Sequence, residues 1–549
     1  MKRVTSFLLV LALMLSGACL YSQNIIVVNS NADSGEGSFR QAIADALDGD
    51  SIVIPGNFTV TIESELTIDK NLSINGQGAT IQVTESGVSA IRIFTLNNPA
   101  LTEGALYNLT LKGGNVQGRH ATASNVLNCG GIMLLDVTCT LHLENVSFLD
   151  SKGTYSGAFQ QNNVNANVTL KSCVFSGNSA INNAGGLYNK GFMTITDCTF
   201  TNNSTTHNGS AIVTNKALDA YKCVFKENTA STTTNGAYGG VIFNTNNGTY
   251  ANFTDCLFAD NTAEARGAAV FGQSGNAETT IGFTNCTFYN NTSNVEASVS
   301  SNNAGSIFTT YAGITNLINC TMVGNTSKLN GIAFIRDLNT VKVNIVNSIV
   351  AYNYVGANTN DLTNSGTGIV DANTSILGTT TGTIGQTDAI SFSYSPESNL
   401  FATFTTSGNR KPLLHEDGTV KLSGQNSVAY EAGKSSLTGF TIPTHDQLGY
   451  LRGTPPCVGA VEYDLSTGIK SFDTERVKLS IYPNPATDYI NIITDFTIGK
   501  VELVDISGKT VLLSKNPSTV MSLNSIVSGM YLLRAYTTEG IITQKFYIK

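Results

Sequence analysis

The chain has 549 residues, with 31 basic and 39 acidic side chains, a formal net charge of −8 and only 13% charged residues. No basic surplus is available to neutralise phosphates, so nucleic acid is not an expected partner. With no Trp and five His, there is little material for a His-based metal site or an aromatic sugar platform, and no cofactor is expected.

Residues 1–22 read as a signal peptide: Lys2 and Arg3, then the apolar stretch Phe7 to Leu15, then Ser16, Gly17 and Ala18. The apolar stretch is too short to span a bilayer. Cleavage after Ala18 or after Ser22 fits the pattern. Cys19 admits lipoprotein processing as an alternative, although Ser16 stands where a lipobox carries Leu. Further on, Ser38 is placed to cap a helix, with Gln41 completing a capping box and Ile43 and Leu47 on one face. Such a helix would cover the open end of a stack of coils. Leu66-Thr-Ile68 and Leu72-Ser-Ile74 read as the first short strands.

The organising feature is a repeat, Cys-x-Phe-x-x-Asn. It begins at Cys173, Cys198, Cys223, Cys256 and Cys286, with Phe175, Phe200, Phe225, Phe258 and Phe288 two places on and Asn178, Asn203, Asn228, Asn261 and Asn291 three further. Degenerate copies follow at Cys320 with Asn325 and at Ser348 with Asn353, and an earlier one stands at Val146-Ser-Phe148. The Cys-headed copies are 25 to 34 residues apart, too short for independent domains, so neighbours must stack to bury anything.

Parity predicts the shape of each unit. Cys and Phe, two apart, point to one side of a strand. The apolar pairs before them, such as Val168/Leu170, Met193/Ile195 and Val343/Ile345, are out of phase with them by one residue. A straight strand would turn one set outward, so a corner lies between, ending at Asp197, Asp255, Asn285, Asn319 or Asn347, types that tolerate a left-handed backbone. A third apolar strand follows Gly185-Gly, Gly239-Gly, Gly267 and Gly305. Three strands and three corners per repeat describe one coil of a right-handed, three-sided parallel β-helix, with coils about 4.8 Å apart.

In that register Asn178, Asn203, Asn228, Asn261, Asn291, Asn325 and Asn353 form a structural ladder whose amides bond corner backbone. Cys173, Cys198, Cys223, Cys256, Cys286 and Cys320 stack on one inward face with the five Phe. Parallel side chains at the coil spacing stand farther apart than a disulfide allows, so these thiols are expected as small buried hydrophobes. Cys129 and Cys139 lie off this register, and their pairing stays open.

The Phe-x-x-Asn and Gly-Gly-Ala-Ile-like elements over about 145–355 resemble the repeats of the chlamydial polymorphic outer membrane proteins. That resemblance implies a β-helical passenger acting as an adhesin. Asp33 to Ile43 with Gly49 to Ile54 resemble the opening of many bacterial surface β-helix proteins, and Ser427 to Gly433, Asp446 to Gly449 and Val458 to Tyr463 resemble the closing segment of choice-of-anchor β-helix proteins. Residues 23–464 are therefore expected to form the β-helix with its N-terminal cap, with irregular closing coils over about 356–464 and a linker at 465–477.

Residues 478–549 differ in composition. Alternating apolar strands separated by Ser-Gly and Glu-Gly turns predict a small β-sandwich. Its opening, with Tyr482, Pro483, Asn484 and Pro485, resembles the type A sorting domain of type IX secretion, as do Val501 to Lys509, Gly529-Met-Tyr531 and Lys545 to Lys549. The resemblance implies handling by the type IX secretion machinery, removal of the tail, and a mature protein anchored to outer-membrane lipopolysaccharide or released.

Polysaccharide lyases and glycoside hydrolases on β-helices need acidic calcium ligands with a basic side chain, or paired carboxylates. No Asp-x-Asp run lies on the coils, and no catalytic or metal residue is assigned. The nearest cluster in sequence is Lys112, Arg119, His120, His142, Glu144 and Asp150, expected as solvated polar positions, and Arg266 and Arg336 are expected at the surface. A non-enzymatic adhesin or binding stalk for a glycan or a host or cell-surface ligand is the expectation. The alternatives are a carbohydrate-active enzyme and a purely structural surface layer.

Overall fold

The computed structural model describes residues 24–83, 90–120, 126–231, 240–244, 250–264, 267–272, 279–294, 308–310, 313–328, 333–335, 341–364, 367–394, 400–405, 409, 411–463, 479–482, 484–494, 498–505, 509–515, 520–523, 526–537 and 540–549. Residues 1–22, expected as a signal peptide and containing Cys19, the expected linker at 465–477, and Arg266, Arg336 and Pro483 lie outside them. The chain forms two compact units, Met1–Asp464 and Leu465–Lys549.

The first unit is a parallel β-helix built from sheets of 24, 12 and 9 strands. Each strand pairs in parallel with its equivalent in the next coil. Phe175 lies beside Phe200, Phe200 beside Phe225, Phe225 beside Phe258 and Phe258 beside Phe288. The 24-stranded sheet is bent along a line of left-handed residues in register. Asn145, Ser172, Asp197, Lys222, Asp255, Asn285, Asn319 and Asn347 have φ of 55°, 51°, 54°, 52°, 58°, 53°, 52° and 48°. The bend lets Val168 and Leu170 before it, and Cys173 and Phe175 after it, all face inward.

A second line of left-handed residues, including Asp150, Gly177, Asn202, Glu227, Asp260 and Asn290, lies just before the ladder positions. It turns the chain into two-residue strands such as Ser179–Ala180, Ser204–Thr205 and Thr229–Ala230, which make the 9-stranded sheet. The fold is three-sided, but two of the expected strands share one bent sheet. The remaining side is made of strands too short to show periodicity. The third expected strand, for example Leu187–Asn189, belongs to the 12-stranded sheet. It follows a close approach between coils: a Cβ on Gly185 would lie 2.3 Å from Ser210 O and 2.5 Å from Ser204 O.

Helix α1, Phe39–Asp45, carries Phe39, Ala42 and Ile43 into the first coils. Ser38 Oγ accepts from Gln41 N at 3.2 Å. The capping box is not completed, because Gly35 O already takes the Ser38 N–H and Gln41 Nε2 donates to Asp45 instead. Leu47 lies past the helix end and is exposed. Lys70 Nζ reaches back to the carbonyls of Ile43, Ala44 and Ala46 at 2.8–2.9 Å, where a cation also suits the helix dipole.

The segment expected as closing coils divides in two. The chain continues the coils as far as Gly385–Thr387, which pairs with Asp371–Asn373. The described residues of 400–405 and 411–463 then run back along the outside of earlier coils. Leu400, Phe401, Val420, Leu422, Cys457 and Val458 bury a second core against Leu257, Ala259, Tyr289, Val323, Ile349 and Ala351. The physical reason is visible in strand patterning. Val174–Ser176 and Thr199–Thr201 bury only their middle residue, whereas Leu257–Ala259 and Ile349–Ala351 bury all three. An apolar outer face has to be covered.

The second unit has a 3-stranded and a 4-stranded antiparallel sheet. Ile490, Ile492 and Met521 of the one share a core with Val501, Leu503, Leu533 and Phe546 of the other, a small β-sandwich.

Candidate functional site

The repeat residues lie inside the coils. Asn178, Asn203, Asn228, Asn261, Asn291, Asn325 and Asn353 are fully buried. Each Nδ2 donates to a carbonyl of the preceding coil and, from Asn178 to Asn325, to the Oδ1 of the next ladder residue. Asn261, for example, bonds Phe225 O at 2.9 Å and Asn291 Oδ1 at 2.8 Å. The same Oδ1 also accepts a backbone N–H, as from Asn261 N at 3.2 Å. Ser151 closes one end by donating to Asn178 Oδ1 at 2.6 Å. Asp361 closes the other, accepting from Asn353 N and Nδ2, both at 2.9 Å. Burial pushes the Asp361 carboxyl up to about 6, against hydrogen bonds from Tyr394, Asn353 and Thr379.

The phenyl rings stack in parallel. Centroid distances are 4.7 Å for Phe175–Phe200, 5.2 Å for Phe200–Phe225, 4.8 Å for Phe225–Phe258 and 4.8 Å for Phe258–Phe288. Phe148 extends the row at 4.4 Å from Phe175. Nine described cysteines, Cys129 and Cys139 among them, are buried and in no disulfide. Burial raises the Cys198, Cys223 and Cys286 thiols and pushes Cys129 and Cys139 up to about 11.

The early polar residues do not converge on one point. Lys112 pairs with Asp150 at 3.4 Å, and Glu144 with Lys171 at 2.7 Å. Arg119 pairs with Glu65 at 2.5 Å, and Glu65 also meets Arg92 at 2.9 Å. Arg92 is 1% exposed and ties down Gly130 O and Cys129 O, each at 2.9 Å. A groove of about 390 Å³ beside α1 is lined by Arg40, Glu65, Asp69 and Lys70. Its cations are already engaged, Arg40 with Asp33 and Lys70 with the helix end. Among the described residues, no three His, Cys, Asp or Glu side chains gather into a group able to hold a metal ion.

Sequence reasoning missed a buried ionic cluster under the returning segment. Arg452 pairs with Glu462 at 3.2 Å and donates to Asn285 Oδ1 at 2.8 Å. Asn285 in turn donates to Asp255 Oδ1 at 2.9 Å. Burial pushes Asp255 up to about 6 and raises Asp446, which faces it. The cluster fastens the segment to the coils and is filled by its own members.

Outside the bend, the coils present a lateral face with one row of side chains per strand position. Asp219 lies beside Asn252, which lies beside Gly282 and then Asn316. Tyr250 Oη and Asn252 Nδ2 both donate to the Asp219 carboxylate, at 3.2 and 3.0 Å. In the tail, Asn484 and Pro485 are exposed, and Asn484 Oδ1 accepts from Tyr547 N at 3.0 Å. Tyr482 ends the strand Leu479–Tyr482, its backbone beside Asn491.

Residues 480–549 match the family model of the secretion system C-terminal sorting domain, and residues 197–215 match that of the Chlamydia polymorphic membrane protein repeat. Among curated proteins none matches this sequence. Of solved structures, the crystal structure of pectate lyase Pel9A is 12% identical with a TM-score of 0.40, over 80% of this chain and 97% of that one. No helix among the described residues is long and apolar enough to cross a membrane. With parallel coils in its body, a polymorphic membrane protein repeat at their centre and a sorting domain at its end, the chain is a β-helix surface protein with a type IX secretion tail, exported to the cell surface or secreted.

Proposed function

We propose that the protein is a non-enzymatic adhesin or binding stalk. The type IX machinery exports it through residues 478–549, and the mature form is held by outer-membrane lipopolysaccharide or released. The observation that carries this reading is the long lateral face of the coils. Its side chains stand in register from coil to coil, while the Asn ladder and the phenyl stack hold the backbone beneath it. A face of this kind offers many weak contacts in fixed geometry, which suits adhesion to a repetitive ligand.

Adhesion by cells that carry or lack the chain tests it, run beside an assay for unsaturated uronide release from polysaccharides. The expected result is adhesion that depends on the chain with no product release. Release of unsaturated products by the purified chain would overturn the reading in favour of a carbohydrate-active enzyme. A tail deletion is expected to leave folded coils in the periplasm, because the body and the tail have separate cores.

A further inference from the structure

On the described coils, most of the exposed large apolar side chains are aliphatic, but two are aromatic rings, Phe192 and Tyr250, at 44% and 38% exposure. They share one row of the lateral face. Phe192 lies beside Ala217 in the next coil. Leu218 lies beside Ala251, which puts Ala217 next to Tyr250. Two coil steps separate the rings by about 9.6 Å, twice the inter-strand spacing. Between them stands Ala217, small and covered by its neighbours, so no third large side chain separates the rings.

Polar groups frame the pair. Lys216 Nζ lies over one face of the Phe192 ring, 4.0 Å from its centroid, and donates to Val164 O at 2.6 Å, which leaves the other face to a ligand. The Asp219 carboxylate, two residues along the strand from Ala217, is held by Tyr250 and Asn252 and keeps lone pairs for further donors. Gly282 leaves the outer side of Asn252 clear: a Cβ there would lie 2.8 Å from Asn252 Oδ1.

We propose that Phe192 and Tyr250 form a binding platform for a neutral polysaccharide lying along the helix axis, which names the ligand class of the adhesin reading and rests on it. A pyranose ring presents axial C–H bonds on one face, and these lie favourably on the electron-rich face of an aromatic ring. Two rings at two coil steps match a chain that repeats its exposed face once per disaccharide. The hydroxyls at the sugar edges are donors and acceptors, as Asp219, Asn252 and Lys216 require. An acidic polysaccharide fits less well, because its carboxylates would meet Asp219.

The test is retention of the purified full chain on insoluble xylan, cellulose, chitin and starch, with polygalacturonate as the acidic comparison. Retention is expected on at least one neutral polysaccharide, falling about tenfold in Phe192→Ala and in Tyr250→Ala, a factor worth 1.4 kcal/mol. Ile369→Ala, an exposed apolar change farther along the same face, is expected to bind as the parent does. Thermal unfolding midpoints equal to the parent's show that the variants fold. Failure to bind any neutral polysaccharide, preference for polygalacturonate, or equal binding by parent and Tyr250→Ala overturns the platform. Cells displaying Tyr250→Ala that still adhere as the parent does would sink the platform and leave the adhesin reading standing. Absence of adhesion by the parent would sink the adhesin reading itself.

Discussion

The amide oxygen of Asn484 accepts a hydrogen bond from the backbone N–H of Tyr547 at 3.0 Å, so the start of the sorting tail is tied to its last strand. Ala486 completes the tie, donating to Tyr547 O at 2.7 Å and accepting from Lys549 N at 2.8 Å. An opening motif and a terminal strand 63 residues apart in sequence therefore present one surface.

Replacing Asn484 by Ala removes the side-chain part of that tie and leaves the tail core untouched. A single exposed hydrogen bond contributes about 0.5–1.5 kcal/mol, so the tail stays folded while its last strand frays. The expected outcome is faster proteolysis near residues 540–549 and less protein at the surface in fractionated cells. Normal surface levels together with a frayed last strand would show that the machinery does not need these two segments held together.

The six repeat cysteines face inward in one column with no described disulfide. They are expected to resist a thiol reagent in the native state and to react once denatured. Burial disfavours the reactive thiolate, as it does for Cys198, Cys223 and Cys286. At Cys256 burial is outweighed by hydrogen bonds with Cys223 and Cys286, which bring the thiol down to about 5, but the side chain is 0% exposed and out of a reagent's reach. Mass spectrometry after alkylation measures this directly. Rapid native labelling of any of the six would mean that the coils open locally far more often than a closed stack permits.

How much of this was legible in the sequence varies by residue. The bend at Asp197 and Asn285 followed from parity, because only a corner lets Met193, Ile195, Cys198 and Phe200 all face inward. The sorting tail followed from Tyr482 to Pro485 and from the strand pattern behind them. The returning segment was not legible. It has no periodicity of its own, and its contacts span great distances in sequence, as from Asn285 to His445, 160 residues apart. One signal was available: Leu257, Tyr289, Val323 and Ile349 are larger or more apolar than Thr199 and Thr201, which hold the same outward positions in an earlier coil.

Ladder and stack substitutions should differ in mechanism. Phe225→Ala deletes a ring packed at 5.2 and 4.8 Å from its neighbours and is expected to cost about 3–5 kcal/mol. Asn261→Ala takes away the acceptor of the Asn228 backbone N–H and one partner each from Phe225 O and from Asn228 Nδ2, which keeps Phe200 O and Lys226 O. A buried donor orphaned in this way costs about 1–3 kcal/mol. Urea unfolding of the coil unit should show a loss of that order for both. A change below about 0.5 kcal/mol for Asn261→Ala, the range of ordinary surface changes, would mean that the ladder amides are replaceable by water.

Asp361, at the far end of the ladder, is expected to make the stability of the coils fall as pH rises. Its carboxyl is pushed up to about 6 by burial, above the ordinary Asp value of 3.8. The folded state therefore holds a proton on it more tightly than the unfolded chain does. Below about pH 4 both states are protonated and the group costs nothing. Between there and about pH 6 the unfolded chain ionises first, so this group's contribution falls as pH rises, and above pH 6 the loss is complete. Asp255, also pushed up to about 6 by burial, acts in the same direction. Urea midpoints between pH 4 and 7 measure the slope. Asp361→Asn is expected to flatten it, since the amide cannot ionise, while still offering an oxygen to Asn353. A slope unchanged in Asp361→Asn would place the titration elsewhere, and Asp255→Asn would then be expected to remove it.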